Sequence, residues 1–101
     1  MKMVMVIYRH SLDQEIRRLL KELDVTDVTE APKVFGIGEA GHAFGSLTWP
    51  GHHAIILSAM EELQADRVIE VLKEFRDHMV QLRGGAKIPM RVFVLPCERV
   101  L

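Results

Sequence analysis

The sequence has few of the residues that define several common classes of protein. It contains one cysteine, Cys97, which excludes a disulfide within the chain and a metal site made of several thiolates of one chain. Its formal net charge of −1 gives no overall field that would attract nucleic acid or an anionic membrane. No apolar run approaches a membrane span, and the one that precedes Arg9 is too short for the core of a signal peptide. We therefore expect a cytoplasmic protein that neither binds nucleic acid nor inserts into a membrane.

What is present is the composition of an ordinary globular domain. Of 101 residues, 49% are hydrophobic and 27% are charged. A chain of this length can bury a real but modest core. Because no repeat, linker or low-complexity segment divides it, residues 1–101 are predicted to form a single domain.

The first third of the chain predicts a strand, a helix and a second strand. Met3–Tyr8 is a continuous apolar run, typical of a central strand. Ser11 and Gln14 have the spacing of a capping box at the start of a helix. The apolar residues that follow at helical spacing are Leu12, Ile16, Leu19, Leu20 and Leu23. Val28–Gly36 then predicts a strand, in which Pro32 requires an edge position or a bulge because it lacks an N–H.

The second half repeats this pattern. His53–Met60 predicts a third strand, and Glu61–Ala65 leads into a second helix. The apolar stripe of that helix repeats at spacings of four and three residues and consists of Val68, Leu72, Phe75, Met79 and Leu82. Arg83-Gly84-Gly85 is typical of a helix end. Met90–Cys97 predicts a fourth strand, interrupted by Pro96.

A long stretch, Phe35–Gly51, separates the second and third predicted strands. A loop of this length is uncommon in so small a domain unless it is functional or disordered, and its aromatic residues argue against disorder. Phe44, Leu47 and Trp49 supply apolar groups that indicate docking, either onto a neighbouring subunit or onto a partner protein. The sequence leaves these two possibilities open.

The order of elements, βαβ–βαβ, predicts an α+β fold: a ferredoxin-like sandwich with a four-stranded antiparallel sheet and two helices on one face. The first strand is apolar on both of its faces, with Val4 and Val6 on one and Met5 and Ile7 on the other. Two helices can cover only one face of the sheet. We therefore expect the second face to be covered by oligomerisation.

Several segments resemble the PII signal-transduction superfamily, in particular its divergent PII-like branch. They are the opening MKMVMVIYR, the helix SLDQEIRRLLKEL, the segment VTDVTEAPKVFGIGEAG and the close RGGAKIPMRVFVLPCERV. The resemblance covers nearly the whole chain. Its most specific parts are VFGIGE and FVLPCERV, while FGSLTWPG is closer to the PII-like branch than to the nitrogen regulatory proteins proper.

The resemblance implies a homotrimer that is a regulator and not an enzyme. Its effector, an adenine nucleotide (ATP, ADP or AMP), a small anion or both, would bind in clefts between subunits. The long loop, about residues 37–52, would then control a partner, either a membrane transporter or a metabolic enzyme. The sequence departs from the family pattern in having no tyrosine in that loop, so the family's tyrosine modification cannot occur there. Its phosphate-binding segment is also reduced to residues 83–87.

Two segments contain candidate ligand-binding residues. The first segment consists of Gly36, Ile37, Gly38 and Glu39. Its two glycines, two residues apart, allow backbone N–H groups to approach an anion, but the end of a strand that needs positive φ would have the same sequence. In the second, the glycines Gly84 and Gly85 lie between the cations Arg83 and Lys87, which suits a phosphate or carboxylate, although a helix cap followed by a turn would also need these glycines. Arg91 adds a further cation if it faces the same cleft.

The histidines support an alternative function, a metal-binding or metal-sensing trimer. His42 lies in the long loop, and His52 and His53 begin the third predicted strand. Because neighbouring strand residues point to opposite faces, His52 and His53 are poor joint ligands. One of them, with His42 and a carboxylate such as that of Glu39, could bind zinc, copper or nickel.

Overall fold

The computed structural model describes residues 1–34 and 52–101, and they form a four-stranded antiparallel sheet with two helices. In chain order the elements are β1 (Lys2–Arg9), a short 3-10 helix (His10–Leu12), α1 (Asp13–Glu22), β2 (Thr29–Val34), β3 (His53–Met60), α2 (Glu62–Leu82) and β4 (Met90–Pro96). The strand order across the sheet is β2-β3-β1-β4. The predicted ferredoxin-like βαββαβ fold is therefore confirmed.

The hydrophobic core lies between the sheet and the two helices. Alternate residues of β1, Val4, Val6 and Tyr8, are buried there and meet Ile16 of α1 and Val68 of α2 in one cluster. We call this side of the sheet the covered face. The covered face extends across the neighbouring strands, because Val6 lies opposite Ile56 of β3 and opposite Val92 of β4. Every second residue of the strands thus points to the covered face, where it packs against the apolar stripes of the two helices.

Neither helix of residues 1–34 and 52–101 packs on the opposite side of the sheet, which we call the open face. Its residues on β1 are Met3, Met5, Ile7 and Arg9. Their cross-strand partners share the same face, and these are His53, Ile55, Leu57 and Ala59 of β3 and Arg91, Phe93 and Leu95 of β4. Phe93 and Leu95 are 48% and 43% exposed. The expectation of a second apolar sheet face is confirmed.

Two details of the helices differ from the sequence prediction. The capping box is wrong, because α1 begins at Asp13 after Leu12 and has no side-chain cap, while Ser11 lies inside the 3-10 helix. That 3-10 turn brings Leu12 into the core, where it is fully buried. Leu82, which the sequence places in the apolar stripe of α2, is the last residue of that helix and is 68% exposed.

The edge strand β2 behaves as Pro32 predicts. β2 pairs only with β3, and its register shifts between Ala31 and Val34, on either side of the proline. A residue without an N–H cannot donate to the ladder, so it is tolerated at an edge and next to an irregularity. Neither helix of the described residues combines the length and the apolar character needed to cross a membrane.

Candidate functional site

Antiparallel topology brings the chemically interesting segments to one end of the sheet. β1 and β2 finish at this end, with Arg9 and Val34, while β3 and β4 start there, with His53 and Met90. The segment that connects α2 to β4 arrives at the same end, since the backbone N–H of Arg9 donates to the carbonyl of Pro89 at 3.0 Å. The attachment points of the long loop and of the 83–89 segment are therefore neighbours, although they are far apart in sequence.

Three basic side chains share the open face at this end. On β3, His53 lies directly opposite Arg9. On β4, at the other side of β1, Arg91 lies directly opposite Ile7 and is therefore a diagonal neighbour of Arg9. Directly opposite residues have Cβ atoms about 5 Å apart and diagonal neighbours about 7–8 Å apart, within reach of long side chains. We call Arg9, His53 and Arg91 the basic cluster. Two guanidinium groups and an imidazole on one surface suit a carboxylate, phosphate or bicarbonate.

Within the basic cluster, His53 is a buried imidazole. Its side chain is 5% exposed, although it lies on the open face. Burial lowers the pKa of His53, and the positive charges of Arg9, Arg91 and His52 lower it further. His53 is therefore neutral at neutral pH, and the permanent positive charge of the cluster comes from its two arginines.

On the covered face the same sheet end has a closed hydrogen-bond network. The hydroxyl of the buried Tyr8 donates to Oδ1 of Asp13 at 2.6 Å, and Nε of Arg17 donates to Oδ2 of the same carboxylate at 2.9 Å. Arg17 also forms an ion pair with Glu30 of β2. Burial opposes ionisation of Asp13, but the bonds from Tyr8 and Arg17 outweigh it and hold the pKa of Asp13 below its ordinary value. These contacts join β1, α1 and β2.

The predicted 83–87 segment is a helix cap whose side chains are exposed. Gly84 has φ +66° and Gly85 has φ +93°, backbone conformations that favour glycine. The N–H of Gly84 donates to the carbonyl of Gln81 at 3.1 Å, and that of Gly85 to the carbonyl of Val80 at 2.9 Å. Because these two donors complete the end of α2, the capacity of this segment to bind an anion lies in the side chains of Arg83 and Lys87.

The remaining predicted site residues belong to the long loop. Those outside the described residues are Gly36, Ile37, Gly38 and Glu39 of the ligand segment, Phe44, Leu47 and Trp49 of the docking group, and His42 of the metal hypothesis. His52 and His53 are described, and they lie on different sides of the chain as expected: His53 is buried on the open face, whereas the half-exposed His52 contacts His10. Within residues 1–34 and 52–101, no three His, Cys, Asp or Glu side chains converge as metal ligands.

Sequence reasoning did not assign Arg9 and His10 to a site. Both residues directly follow the apolar run of β1, and a charged or imidazole side chain at the end of a buried strand is a signal that could have been used. What the sequence could not supply was the register that brings Arg9 to His53 and His10 to His52, because both pairs are more than 40 residues apart in the chain.

Comparison with known proteins settles the family. The sequence profile described as nitrogen regulatory protein P-II matches residues 1–101, the whole chain. The chain belongs to this family. A search of curated protein sequences gave no match. The predicted resemblance is therefore confirmed on the profile and on the fold, and members of the P-II family are regulators rather than enzymes.

Solved structures with the P-II fold resemble this chain over most of its length. One, proposed to be a PII-like signalling protein of Thermus thermophilus, is 19% identical, with a TM-score of 0.64 over 93% of this chain and 83% of that one. CPII from Thiomonas intermedia K12, a nitrogen regulatory PII-like protein bound to ADP, AMP and bicarbonate, is also 19% identical, with a TM-score of 0.62 over 92% and 86%. The same protein bound to ADP and bicarbonate gives 21% identity and a TM-score of 0.63 over 93% and 82%. At these identities the likeness shows the fold.

Proposed function

We propose that this protein is a PII-like regulator that acts as a homotrimer. It binds a small anionic effector, an adenine nucleotide with few phosphates or a small anion such as bicarbonate, at clefts between subunits. The occupied cleft alters residues 37–52, which contact a partner transporter or enzyme. Membership of the P-II family and the ADP, AMP and bicarbonate bound to CPII support this class of effector.

The single observation that carries the proposal is the basic cluster. Arg9, His53 and Arg91 share the open face at the sheet end from which the long loop departs. The exposed side chains of Arg83 and Lys87 lie in the segment that enters β4 at the same end. An anion bound there would contact permanent cations from β1, β4 and the helix end, and it would lie beside the base of the long loop. Because the anion would lie next to the base of the long loop, its binding could favour one conformation of the loop over another.

A trimer is supported by the open face beyond the basic cluster. Apolar side chains of β1, β3 and β4 cover it, and those of β4 are almost half exposed. A contiguous apolar surface of this kind marks an interaction site. If three subunits bury these faces against one another, the basic end of each sheet lies at a subunit boundary, which would form the effector cleft.

The test is calorimetric titration of the protein with ADP, AMP, ATP and bicarbonate. Lys87→Ala and Arg91→Ala should each weaken the tightest-binding effector by about 10–100-fold, because a hydrogen bond to a charged group contributes about 1.5–3 kcal/mol. Arg76→Ala is the matched control, since this cation lies on α2 and pairs with Asp77. Unchanged affinity for all four compounds in both site variants would contradict the proposed site.

The partner is tested separately with variants of the loop. Trp49→Ala should abolish capture of a partner from a cell extract while leaving effector affinity unchanged, because we assign the indole to docking. If Trp49→Ala instead dissociates the trimer, the loop aromatic group packs on a neighbouring subunit, which is the other possibility that the sequence left open.

A further inference from the structure

His10 and His52 are brought together at the end of β1 and the start of β3. Arg9 and His53 are the last pair of the β1–β3 register, and His10 and His52 are the residues immediately beyond them. The backbone N–H of His10 donates to the carbonyl of His52 at 2.8 Å. The two imidazole rings lie with their centroids 4.5 Å apart and their planes inclined by 30°. The backbone therefore holds the two rings side by side.

Two imidazoles at this separation have the chemistry of a metal-binding pair. Neutral imidazole nitrogen suits divalent copper, nickel and zinc. The strand pairing and the backbone hydrogen bond already hold the two Cα atoms, so only side-chain torsions have to adjust to direct one nitrogen of each ring at the same ion. Little ordering entropy remains to be lost on binding, which favours affinity.

The surroundings allow an ion to enter and to complete its coordination. His10 is exposed and His52 is half-exposed, so water or a solute can occupy the remaining positions around a bound metal. Asp13 lies three residues after His10, and its carboxylate interacts electrostatically with that imidazole. Although this carboxylate also pairs with Arg17, its negative charge offsets part of the repulsion that Arg9 and Arg91 would exert on a cation.

We propose that His10 and His52 form a two-histidine site for a divalent transition metal, tightest for Cu²⁺ among Ni²⁺, Cu²⁺ and Zn²⁺. The bound ion would link the end of β1 to the start of β3, at the base of the long loop. This site differs from the metal hypothesis of the sequence analysis, which combined His42 with His52 or His53 and a carboxylate. Here His10 is the partner of His52, and His53, which is buried on the open face, has no part in the site. It also stands apart from the proposed effector site, since neither imidazole belongs to the basic cluster.

The test is titration of the chelator-treated full chain with CuCl₂ and NiCl₂. The wild type should bind one ion per chain, and His10→Ala and His52→Ala should each weaken binding at least tenfold. The double variant should lose little more than either single one, because the two residues act as one unit. His78→Ala is the matched control, since His78 is an exposed histidine on α2, and it should bind like the wild type.

Electron paramagnetic resonance of the Cu²⁺ complex provides a direct readout of the ligands. Nitrogen hyperfine structure should report two imidazoles in the wild type and one in each single variant. His10→Gln and His52→Gln, checked by circular dichroism, replace any alanine variant that fails to fold. Binding that survives loss of His10 but disappears in His42→Ala or His53→Ala would overturn the proposal in favour of the loop histidines, and absence of saturable binding would overturn both.

Discussion

The two faces of the sheet are built from the same strands, but the described helices bury only one of them. On the covered face, Val4, Val6 and Tyr8 of β1 are buried by the helices of their own chain. On the open face, Met3, Met5 and Ile7 alternate with them and are equally apolar, yet no element of the described residues packs over them. The sheet thus has two hydrophobic surfaces, and the described helices of the chain cover only one of them.

The two faces also differ in the polar residues at the sheet end where β1 finishes. The covered face ends in a network in which Tyr8, Asp13 and Arg17 satisfy one another inside one chain. The open face ends in the basic cluster, which concentrates positive charge. We therefore assign the covered face to the stability of the subunit and, under the proposed function, the open face to contacts with other molecules. Four substitutions test this division, beginning with the largest expected effect.

Ile16→Ala should reduce the free energy of unfolding by about 2–5 kcal/mol, because it leaves a cavity at a fully buried position of the covered face. Chemical denaturation followed by circular dichroism measures the change. Leu63→Ala is the control, since Leu63 is 83% exposed on α2, and its effect should stay within about 0.5 kcal/mol. Equal losses in the two variants would show that the covered face does not dominate stability.

Phe93→Glu should dissociate the proposed trimer and leave the subunit folded. An unpaired carboxylate is costly to bury in an apolar interface, whereas in the isolated chain this side chain is 48% exposed and reaches water. Light scattering coupled to size-exclusion chromatography measures the mass, and circular dichroism measures the fold. Leu63→Glu, which places the same charge on α2, should remain a trimer. If Phe93→Glu keeps the wild-type mass, the open face is not the interface.

Tyr8→Phe should lower the free energy of unfolding by about 1.5–3 kcal/mol at neutral pH, because it removes a hydrogen bond to a charged carboxylate inside the covered face. The pKa of Asp13 is lower in the folded chain than in the unfolded one. The network therefore stabilises the fold fully above the ordinary range of aspartate, about pH 3.9, and its contribution is lost as the pH falls through and below that value.

Denaturation of the wild type and of Tyr8→Phe at several pH values tests this network. The stability difference between the two proteins should shrink as the pH falls from 6 to 3. A difference that stayed constant over this range would mean that the contribution of the Tyr8 hydroxyl does not depend on the ionisation of Asp13.

Gly84→Ala should have the smallest effect, about 1 kcal/mol, and it should spare both faces. A Cβ at this position would meet no atom within 4 Å, so the cost is the conformational strain of a φ of +66°. Thermal unfolding measures it, with Ala86→Gly as a comparison in the same turn. A loss above about 3 kcal/mol would indicate that the turn supports the core.

Much of the fold was predictable because its signals are local. The bounds of β3 were predicted to the residue, and those of β1 and β4 to within one residue, since apolar runs end at charged residues or proline. The family could also be recognised, from segments spread along the chain. The start of α1 was missed because Ser11 and Gln14 have the correct spacing, but burial of Leu12 required a 3-10 turn instead. Tertiary packing there outweighed a local capping preference.

The candidate site was predictable only in part. Arg83 and Lys87 were identified from charge beside glycine, and Arg91 as a further cation if it faced the same cleft. Arg9 and the His10–His52 pair were not identified from the sequence. The glycine amides of residues 84 and 85 looked available to a ligand in the sequence, but the structure uses them to end α2. The predicted contributions of Gly36–Glu39 and of the loop aromatic residues remain predictions.

By itself the sequence determined the types and order of the elements, the two apolar parities of β1 and the P-II family, because each of these depends on neighbours along the chain. The tertiary structure alone decided which set of alternate strand residues the helices cover and which residues distant in sequence come into contact. Strand register is not encoded in any one strand; it is fixed when the helices bury one face of the sheet. That register set Arg9 opposite His53, Arg91 opposite Ile7 and His10 beside His52.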